Sequence, residues 1–269
     1  MNLLILRSLI FKVACLVITI IEIVIFAPIY FFLPHKISWI VPHAWIHSIF
    51  WLQKYLIGTT YEIEGIEHLP QGACIIAVKH QSTWEALALV LHVKDPTFIL
   101  KNELIRTPGI GWYLAKAGMI PINRDVPIKA LRAIIEGSRK KAQENRQIII
   151  FPEGTRKPPG AEPHYKTGIF SIYSELDLSV IPVALNSGLY WPKQNLRCYP
   201  GKIRCCILPP IKPGLEKKQF MSHLETEIEK ACDKLLLSAA KNGNSLAMPP
   251  TAVRRLEELG ITWKGLIRL

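Results

Sequence analysis

The chain has 269 residues, which is enough for one large α/β domain or two small ones. It carries 33 Lys and Arg against 21 Asp and Glu, so its formal net charge is +12, a balance that suits either nucleic acid or an anionic membrane surface. Nucleic acid is disfavoured as a partner, because the sequence has no zinc-finger spacing, no recognition-helix pattern and no basic motif interleaved with aromatic residues.

Two apolar segments stand near the start of the chain. Val13 to Leu33 is apolar except for Thr19, Glu22 and Pro28, and as a helix it would be about 31 Å long, enough to cross a bilayer core. It is too long for the core of a signal peptide. Ile37 to Gly58 is rich in Trp and Tyr, which favour the headgroup level of a membrane.

The charges around these segments bear on topology. Arg7 and Lys12 precede the first segment, so a single span would leave the rest of the chain outside the cell. The six cysteines lack any Cys-x-x-Cys spacing, and we predict that they are reduced and mostly buried. Reduced cysteines are typical of proteins inside the cell. We therefore predict a two-helix membrane-binding hairpin in one leaflet. A hairpin that spans the bilayer, or two buried helices of a soluble core, are the alternatives.

The next elements lead to a paired histidine and carboxylate. Thr60 to Gly65 alternates as a half-buried strand does, and Ala73 to Val78 is an unbroken apolar run typical of a buried strand. His80 and Glu85 then stand at a turn before a helix. A neutral histidine is the commonest general base near pH 7, and Glu85 could fix its tautomer. Alternatively, Glu85 only completes a capping box with Ser82.

A second group of polar residues follows other predicted strands. Met119 to Asp125 delivers Arg124 to the end of a short apolar stretch. Gln147 to Phe151 predicts a buried strand, closed by a tight loop, Pro152 to Arg156, that carries a carboxylate, a hydroxyl and a guanidinium. Arg156 could hold a phosphate or carboxylate bidentately, or pair with Glu153 in an ordinary solvated turn.

The remaining pattern alternates strands with helices. The further predicted strands are 96–100, 179–184 and 202–208, and the helices are 82–92, 109–117, 128–145, 168–176, one through 220–235 and one from about 252. The basic face of helix 128–145 is most simply solvated, and Lys166 precedes a helix N-terminus where an anion could bind. We predict an α/β fold with a largely parallel or mixed sheet flanked by helices.

In such sheets ligands gather outside the carboxyl ends of the strands. His80, Arg124 and Arg156 all follow predicted strands, so the residues alone predict a site that activates a hydroxyl or water beside a bound anion. No His, Cys or Asp cluster has metal-ligand spacing, and no metal site is predicted.

Four short motifs carry a family resemblance from about Tyr61 to about Leu208. They are His80-x4-Glu85, Ile122-Asn-Arg124, Phe151-Pro-Glu-Gly-Thr-Arg156 and Val180-Ile-Pro-Val-Ala184. In this order they resemble the motifs of the 1-acylglycerol-3-phosphate O-acyltransferases. The family's first motif usually ends in aspartate, where this chain has Glu85, which has the same acceptor chemistry toward an imidazole.

The resemblance implies acyl transfer from acyl-CoA or acyl carrier protein to the free hydroxyl of a lysophospholipid acid. His80 would be the base, with Glu85 behind it. The residues implied to bind the acceptor are Lys101, Arg124, Glu153, Gly154, Thr155 and Arg156. No cofactor is implied beyond the acyl donor as co-substrate.

The predicted organisation is a membrane-associated segment at residues 1–58, a catalytic domain at 59–240 and a C-terminal tail of unknown role at 241–269. Membrane lipids would be partners, and the site would face the cytoplasm, at a bacterial inner membrane. Two other acceptors, a lyso-ornithine lipid or glycerol 3-phosphate, stay open. So does a non-enzymatic module that binds anionic lipid.

Overall fold

The computed structural model describes residues 3–123, 127–193, 195–242, 247–265 and 267. Its strands are β1 (Thr59–Glu64), β2 (Cys74–Val78), β3 (Pro96–Lys101), β4 (Ile120–Ile122), β5 (Gln147–Ile150), β6 (Val180–Leu185) and β7 (Gly201–Ile207). Its helices are α1 (Leu3–Phe32), α2 (His35–Ser38), α3 (Ile40–Leu52), α4 (Trp84–His92), α5 (Asn102–Ile105), α6 (Ile110–Lys116), α7 (Pro127–Gln143), α8 (Gly168–Leu176), α9 (Lys217–Asn242) and α10 (Pro250–Glu258).

The seven strands form one mixed sheet in the order β1-β7-β6-β2-β5-β3-β4. All neighbouring pairs are parallel except β6 and β7, which are antiparallel. β2 and β5 lie in the centre and are buried along their whole length, as their unbroken apolar runs predicted. The predicted α/β class is confirmed.

Helices cover both faces of the sheet and create two cores. One core joins side chains of α3 and α4 to residues from both ends of the chain, Phe11 of α1 and Met248 and Leu256 beside or within α10. The other joins α8 and α9 to the opposite face, with Phe220 and Ile228 at its centre. The predicted N-terminal segment and C-terminal tail are therefore packed into the same structure as the catalytic domain.

The first helix begins ten residues earlier than the apolar run predicted, at Leu3 instead of Val13, and it lies along the domain. Near its start, Ser8 bonds to the backbone of Cys198, and Phe11 meets the Trp191 ring edge-on at 5.2 Å. Near its end, Tyr30 stacks on Tyr113 of α6 at 4.2 Å. These contacts are about 33 Å apart along the helix axis, so the domain supports α1 over most of its length.

The outer face of α1 is apolar and uncovered. Leu9, Leu16, Ile20 and Val24 are each about half exposed or more. Within the described residues α1 is the one helix whose length and composition would allow it to cross a membrane, which by itself is weak evidence of a span. Glu22, the one carboxyl group of the helix, lies on the inner side, where Tyr113 donates a hydrogen bond to its backbone oxygen.

Candidate active site

His80 lies just beyond the carboxyl end of central strand β2, as predicted. Its ring stacks on Phe151, at the end of neighbouring strand β5, with 3.8 Å between ring centres. Nδ1 is 2.8 Å from Oε1 of Glu85, which stands in the first turn of α4. With Nδ1 donating to this carboxylate, Nε2 is the nitrogen left with a lone pair. The imidazole therefore has the tautomer that a general base requires.

Glu85 acts both as a helix cap and as the partner of His80. It is buried, and its Oε1 also accepts from the backbone amides of Gln81 and Ser82, both at 2.7 Å. Its Oε2 accepts from the hydroxyl of Ser187 at 2.8 Å. Glu85 thus makes both the capping contact and the contact to the imidazole, and the longer side chain of glutamate lets its carboxylate reach the ring.

Ser187 was missed by sequence reasoning. It follows β6 in a single 3-10 turn and lies 102 residues from Glu85 along the chain. No local pattern distinguishes it from any other serine at a strand end. Only the sheet order, which places β6 beside β2, brings it to the carboxylate.

Backbone contacts fix the turn that carries His80. The amide of Lys157 donates to the carbonyl of His80 at 2.8 Å, and the amide of Gly188 donates to the side chain of Gln81. A Cβ at Gly188 would lie 2.9 Å from both Gln81 and Pro159, so glycine permits this close approach. The turn is held from two separate segments, one at Lys157 and one at Gly188.

The loop from Pro152 to Arg156 brings a guanidinium to the same edge. Gly154 has φ +68°, in the left-handed region that favours glycine. Arg156 donates from Nη1 to the hydroxyl of Thr83, at 3.0 Å, which places it beside the turn of His80. Thr155 accepts from Lys193 at 3.4 Å.

An apolar cavity of about 950 Å³ opens at this point. His80, Lys101, Gly154, Thr155 and Arg156 line it, together with Lys166 and Lys193. The remaining walls are mostly apolar and come from the sheet, from helices α3 to α8 and from the inner side of α1. The cavity therefore has a basic, polar mouth and an apolar interior, as a molecule with an anionic head and a hydrocarbon chain requires.

Of the predicted binding residues, Glu153 does not line the cavity, and Arg124 lies outside the described residues. The side chain of Glu153 has no exposed surface, and it pairs with Lys79 in the interior at 3.1 Å. A direct contact with a phosphate does not fit this geometry. A buried carboxylate would also repel an anion, whereas Lys193, which the sequence did not single out, lies at the mouth.

The described residues contain no group of three or more His, Cys, Asp and Glu side chains that could hold a metal ion. The groups that meet at the site are a histidine base, a carboxylate that orients it, a cluster of cations and an apolar cavity. This combination suits the activation of a hydroxyl group that belongs to an amphiphilic anion.

Comparisons with known proteins agree with this class of site. A family model described as acyltransferase matches residues 60–186. The 1-acyl-sn-glycerol-3-phosphate acyltransferase of Pseudomonas aeruginosa is 34% identical over 189 residues, which are 70% of this chain and 74% of that protein. The protein of the same name from Helicobacter pylori is 29% identical over 64% of this chain and 73% of its own length.

A solved structure shows the same fold. The crystal structure of the 1-acyl-sn-glycerophosphate acyltransferase of Thermotoga maritima superposes with a TM-score of 0.63 at 23% identity, over 84% of this chain and 97% of that one. Fold, site and relatives together define an enzyme that transfers acyl groups. The chain belongs to the acyltransferase family, in the branch of the 1-acylglycerol-3-phosphate acyltransferases, as the order of its four motifs predicted.

Proposed function

We propose that this enzyme transfers a fatty acyl group from a thioester to the sn-2 hydroxyl of 1-acylglycerol 3-phosphate and so produces phosphatidic acid. The observation that carries the proposal is the His80–Glu85 pair, 2.8 Å apart, at the point where a basic mouth meets an apolar cavity. The relatives bear this activity in their names.

His80 acts as the general base. Nε2 removes the proton of the acceptor hydroxyl as its oxygen attacks the thioester carbonyl, and Glu85 stabilises the imidazolium that forms. When the carbon–sulfur bond breaks, the thiolate leaves and takes the proton from His80. The products are the new ester and a free thiol, so atoms and charge balance without any further reactant.

The cations at the mouth hold the phosphate of the acceptor. Arg156 offers a planar fork that matches phosphate oxygens, while Lys101, Lys166 and Lys193 supply point charges around it. Arg124 is proposed for the same role from its motif. Gly154 lets the loop pass close to Lys166, because a Cβ at this position would lie 3.3 Å from that side chain, closer than an ordinary van der Waals contact.

The apolar interior receives a hydrocarbon chain, and the exposed face of α1 provides access to lipid. Because Ile23 and Tyr30 of α1 line the cavity, a chain would enter beneath the helix that faces the bilayer. We place the enzyme on the cytoplasmic side of a bacterial inner membrane, where acyl-CoA and acyl carrier protein are both present. Either carrier fits a mechanism that uses only the thioester.

A thiol-release assay tests the proposal. Purified protein in detergent or nanodiscs is given palmitoyl-CoA or palmitoyl carrier protein, and free thiol is measured with and without 1-oleoylglycerol 3-phosphate. We expect thiol release and phosphatidic acid only when the acceptor is present. His80→Ala should reduce the rate by about 10² to 10⁴-fold, the usual contribution of a general base.

Parallel reactions contain lyso-ornithine lipid or glycerol 3-phosphate at equal concentration. Faster turnover of either one would replace the proposed acceptor while leaving the chemistry in place. Binding of the protein to acidic vesicles without any acyl transfer would identify a lipid-binding module and refute the enzymatic proposal. A folded His80→Ala variant with most of the wild-type rate would refute the role of His80.

A further inference from the structure

A buried charge cluster lies directly behind the active site. The ammonium group of Lys79 is 3.1 Å from Oε1 of Glu153 and 2.7 Å from Oε1 of Glu229, and Tyr165 donates to the same oxygen of Glu229 at 2.8 Å. The side chain of Lys79 is 2% exposed and that of Glu153 is not exposed at all. We call these four residues the charge cluster.

The cluster joins the segments that carry the catalytic parts. Lys79 directly precedes His80, Glu153 lies in the loop that ends at Arg156, and Tyr165 directly precedes Lys166 at the cavity mouth. Glu229 belongs to α9, which packs on the sheet face opposite α3 and α4. One lysine thus links the base, the anion-binding loop and the helix layer behind them.

Stability alone does not account for such an arrangement. Burial by itself would lower the pKa of Lys79, but the carboxylates of Glu229 and Glu153 outweigh burial and raise it, so the lysine stays charged. Burial raises the pKa of Glu153, and its Oε2 has no hydrogen-bond partner among the described residues. Apolar residues of similar size are often as stable as a buried ion pair, so the cluster needs another reason.

What the cluster does provide is a fixed geometry. In the loop from Pro152 to Arg156 the amide of Gly154 binds the carbonyl of Phe151, and the carbonyl of Pro152 accepts from the amide of Lys166. The position of Arg156 also depends on the side-chain contacts that hold the loop. The buried carboxylate of Glu153 holds the loop from inside the domain, and it pairs with Lys79, the residue directly before His80. This pair of buried side chains, together with the backbone bond from Lys157 to His80, fixes the distance between the imidazole and the guanidinium.

We propose that Lys79 and Glu229 are positioning residues, which hold the Pro152–Arg156 loop at the distance from His80 at which one acceptor molecule meets both. The inference rests on the proposed function, since it assumes an acceptor whose hydroxyl and phosphate are bound at the same time. A misplacement of about 1 Å far from the reacting atoms can cost about 10²-fold in rate.

The sharpest test is a double-mutant cycle with Glu229→Gln and Arg156→Lys, read as kcat/KM for lysophosphatidate. Glutamine keeps the oxygen that Lys79 and Tyr165 bind but removes the charge, so the fold should survive. If the cluster acts through Arg156, Glu229→Gln should lower kcat/KM about tenfold in the wild-type background and less than about threefold beside Arg156→Lys. KM for the acyl donor should stay unchanged.

Glu227→Gln is the matched control, because Glu227 lies two residues away on α9 outside the cluster; it should leave kcat/KM and Tm unchanged. Equal loss in both backgrounds, or no loss in Glu229→Gln, would overturn the proposal. An inactive wild-type protein would instead refute the proposed function, so the two failures are distinguishable.

A charge-neutral replacement gives an independent measurement. Lys79→Met alone leaves the buried carboxylate of Glu153 without its cation and close to the partly buried carboxylate of Glu229, and should lower Tm strongly. Lys79→Met combined with Glu153→Gln and Glu229→Gln should recover much of the Tm, because no uncompensated charge remains. We expect kcat/KM to stay at least about tenfold below wild type. Recovery of both quantities together would show a purely structural cluster and overturn the proposal.

Discussion

At the scale of single residues, Glu85 shows how one carboxylate serves structure and chemistry together. As a carboxylate it has only acceptor sites, and four donors occupy them: two backbone amides, one hydroxyl and the imidazole. The amides belong to the turn before α4, so the same contacts that begin the helix also hold the base in place. A carboxylate that only capped the helix would not need to contact the imidazole. The 2.8 Å contact to Nδ1 of His80 therefore distinguishes Glu85 from a simple cap.

The pair predicts different outcomes for two substitutions. Glu85→Gln replaces one carboxylate oxygen by an NH2 group, which cannot accept a hydrogen bond, and it removes the negative charge beside the imidazole. We expect turnover to fall at least about tenfold, as when an imidazole loses its orienting carboxylate. Glu85→Asp should retain most of the turnover, because the family normally uses aspartate at this place. Steady-state kinetics beside a melting curve measures both. Full activity of Glu85→Gln would show that the carboxylate only caps α4.

At the scale of elements, α10 has a function that its sequence does not reveal. The hydroxyl of Thr251 donates to the carbonyl of Pro159 at 2.7 Å, and a Cβ at Gly160 would lie 2.6 Å from the carbonyl oxygen of Thr251. The segment that α10 contacts begins at Lys157, whose amide binds the carbonyl of His80. The C-terminal region therefore supports the loop that follows Arg156.

Two adjacent arginines of α10 provide a matched pair for testing this support. Arg255 forms two bonds to Asp233 of α9, at 2.9 and 2.6 Å, whereas Arg254 is mostly exposed and lies 3.8 Å from Glu258. Arg255→Met should remove the ion pair between α10 and α9 and lower Tm by about 2–4 °C, the shift expected for about 1 kcal/mol in a domain of this size. Arg254→Met should leave Tm unchanged. Thermal unfolding of both variants is the measurement, and equal melting temperatures would contradict this role for Arg255.

At the scale of the whole molecule, the position of α1 determines how the enzyme meets a membrane. Contacts near Ser8 and Tyr30 hold both ends of the helix against the domain, while its apolar outer face stays free. A helix fixed in this way cannot cross the bilayer without pulling the domain into it. We therefore expect α1 to lie in the plane of one leaflet, with its outer face among the acyl chains.

Depth measurements with spin labels distinguish the two orientations. Single cysteines at Leu9, Leu16 and Val24, in a variant whose native cysteines are replaced by alanine, sample the exposed face over 15 residues. In-plane binding predicts nearly equal depths in anionic vesicles. A transmembrane helix predicts depths that differ by up to about 22 Å, at about 1.5 Å per residue. A steady gradient along the three positions would refute the in-plane arrangement.

The sheet class, the central strands and the histidine–carboxylate pair could all be predicted from the sequence. These features are local, because an apolar run predicts its own burial and five residues of separation suffice for His80 to reach Glu85. The order of the four motifs along the chain was also sufficient to identify the family. The start of α1, however, was misplaced by ten residues, since Arg7 and Lys12 interrupt the apolar run without ending the helix.

Which distant residues share the site depends on the order of the strands in the sheet and on packing between separate segments. Ser187 reaches Glu85 because β6 neighbours β2, and Lys193 reaches the cavity mouth for a similar reason. Glu153 was placed among the phosphate-binding residues by its motif, yet its carboxylate turns inward to Lys79, a partner 74 residues away. The direction of a loop side chain depends on the charges packed behind it, and those charges come from separate parts of the chain.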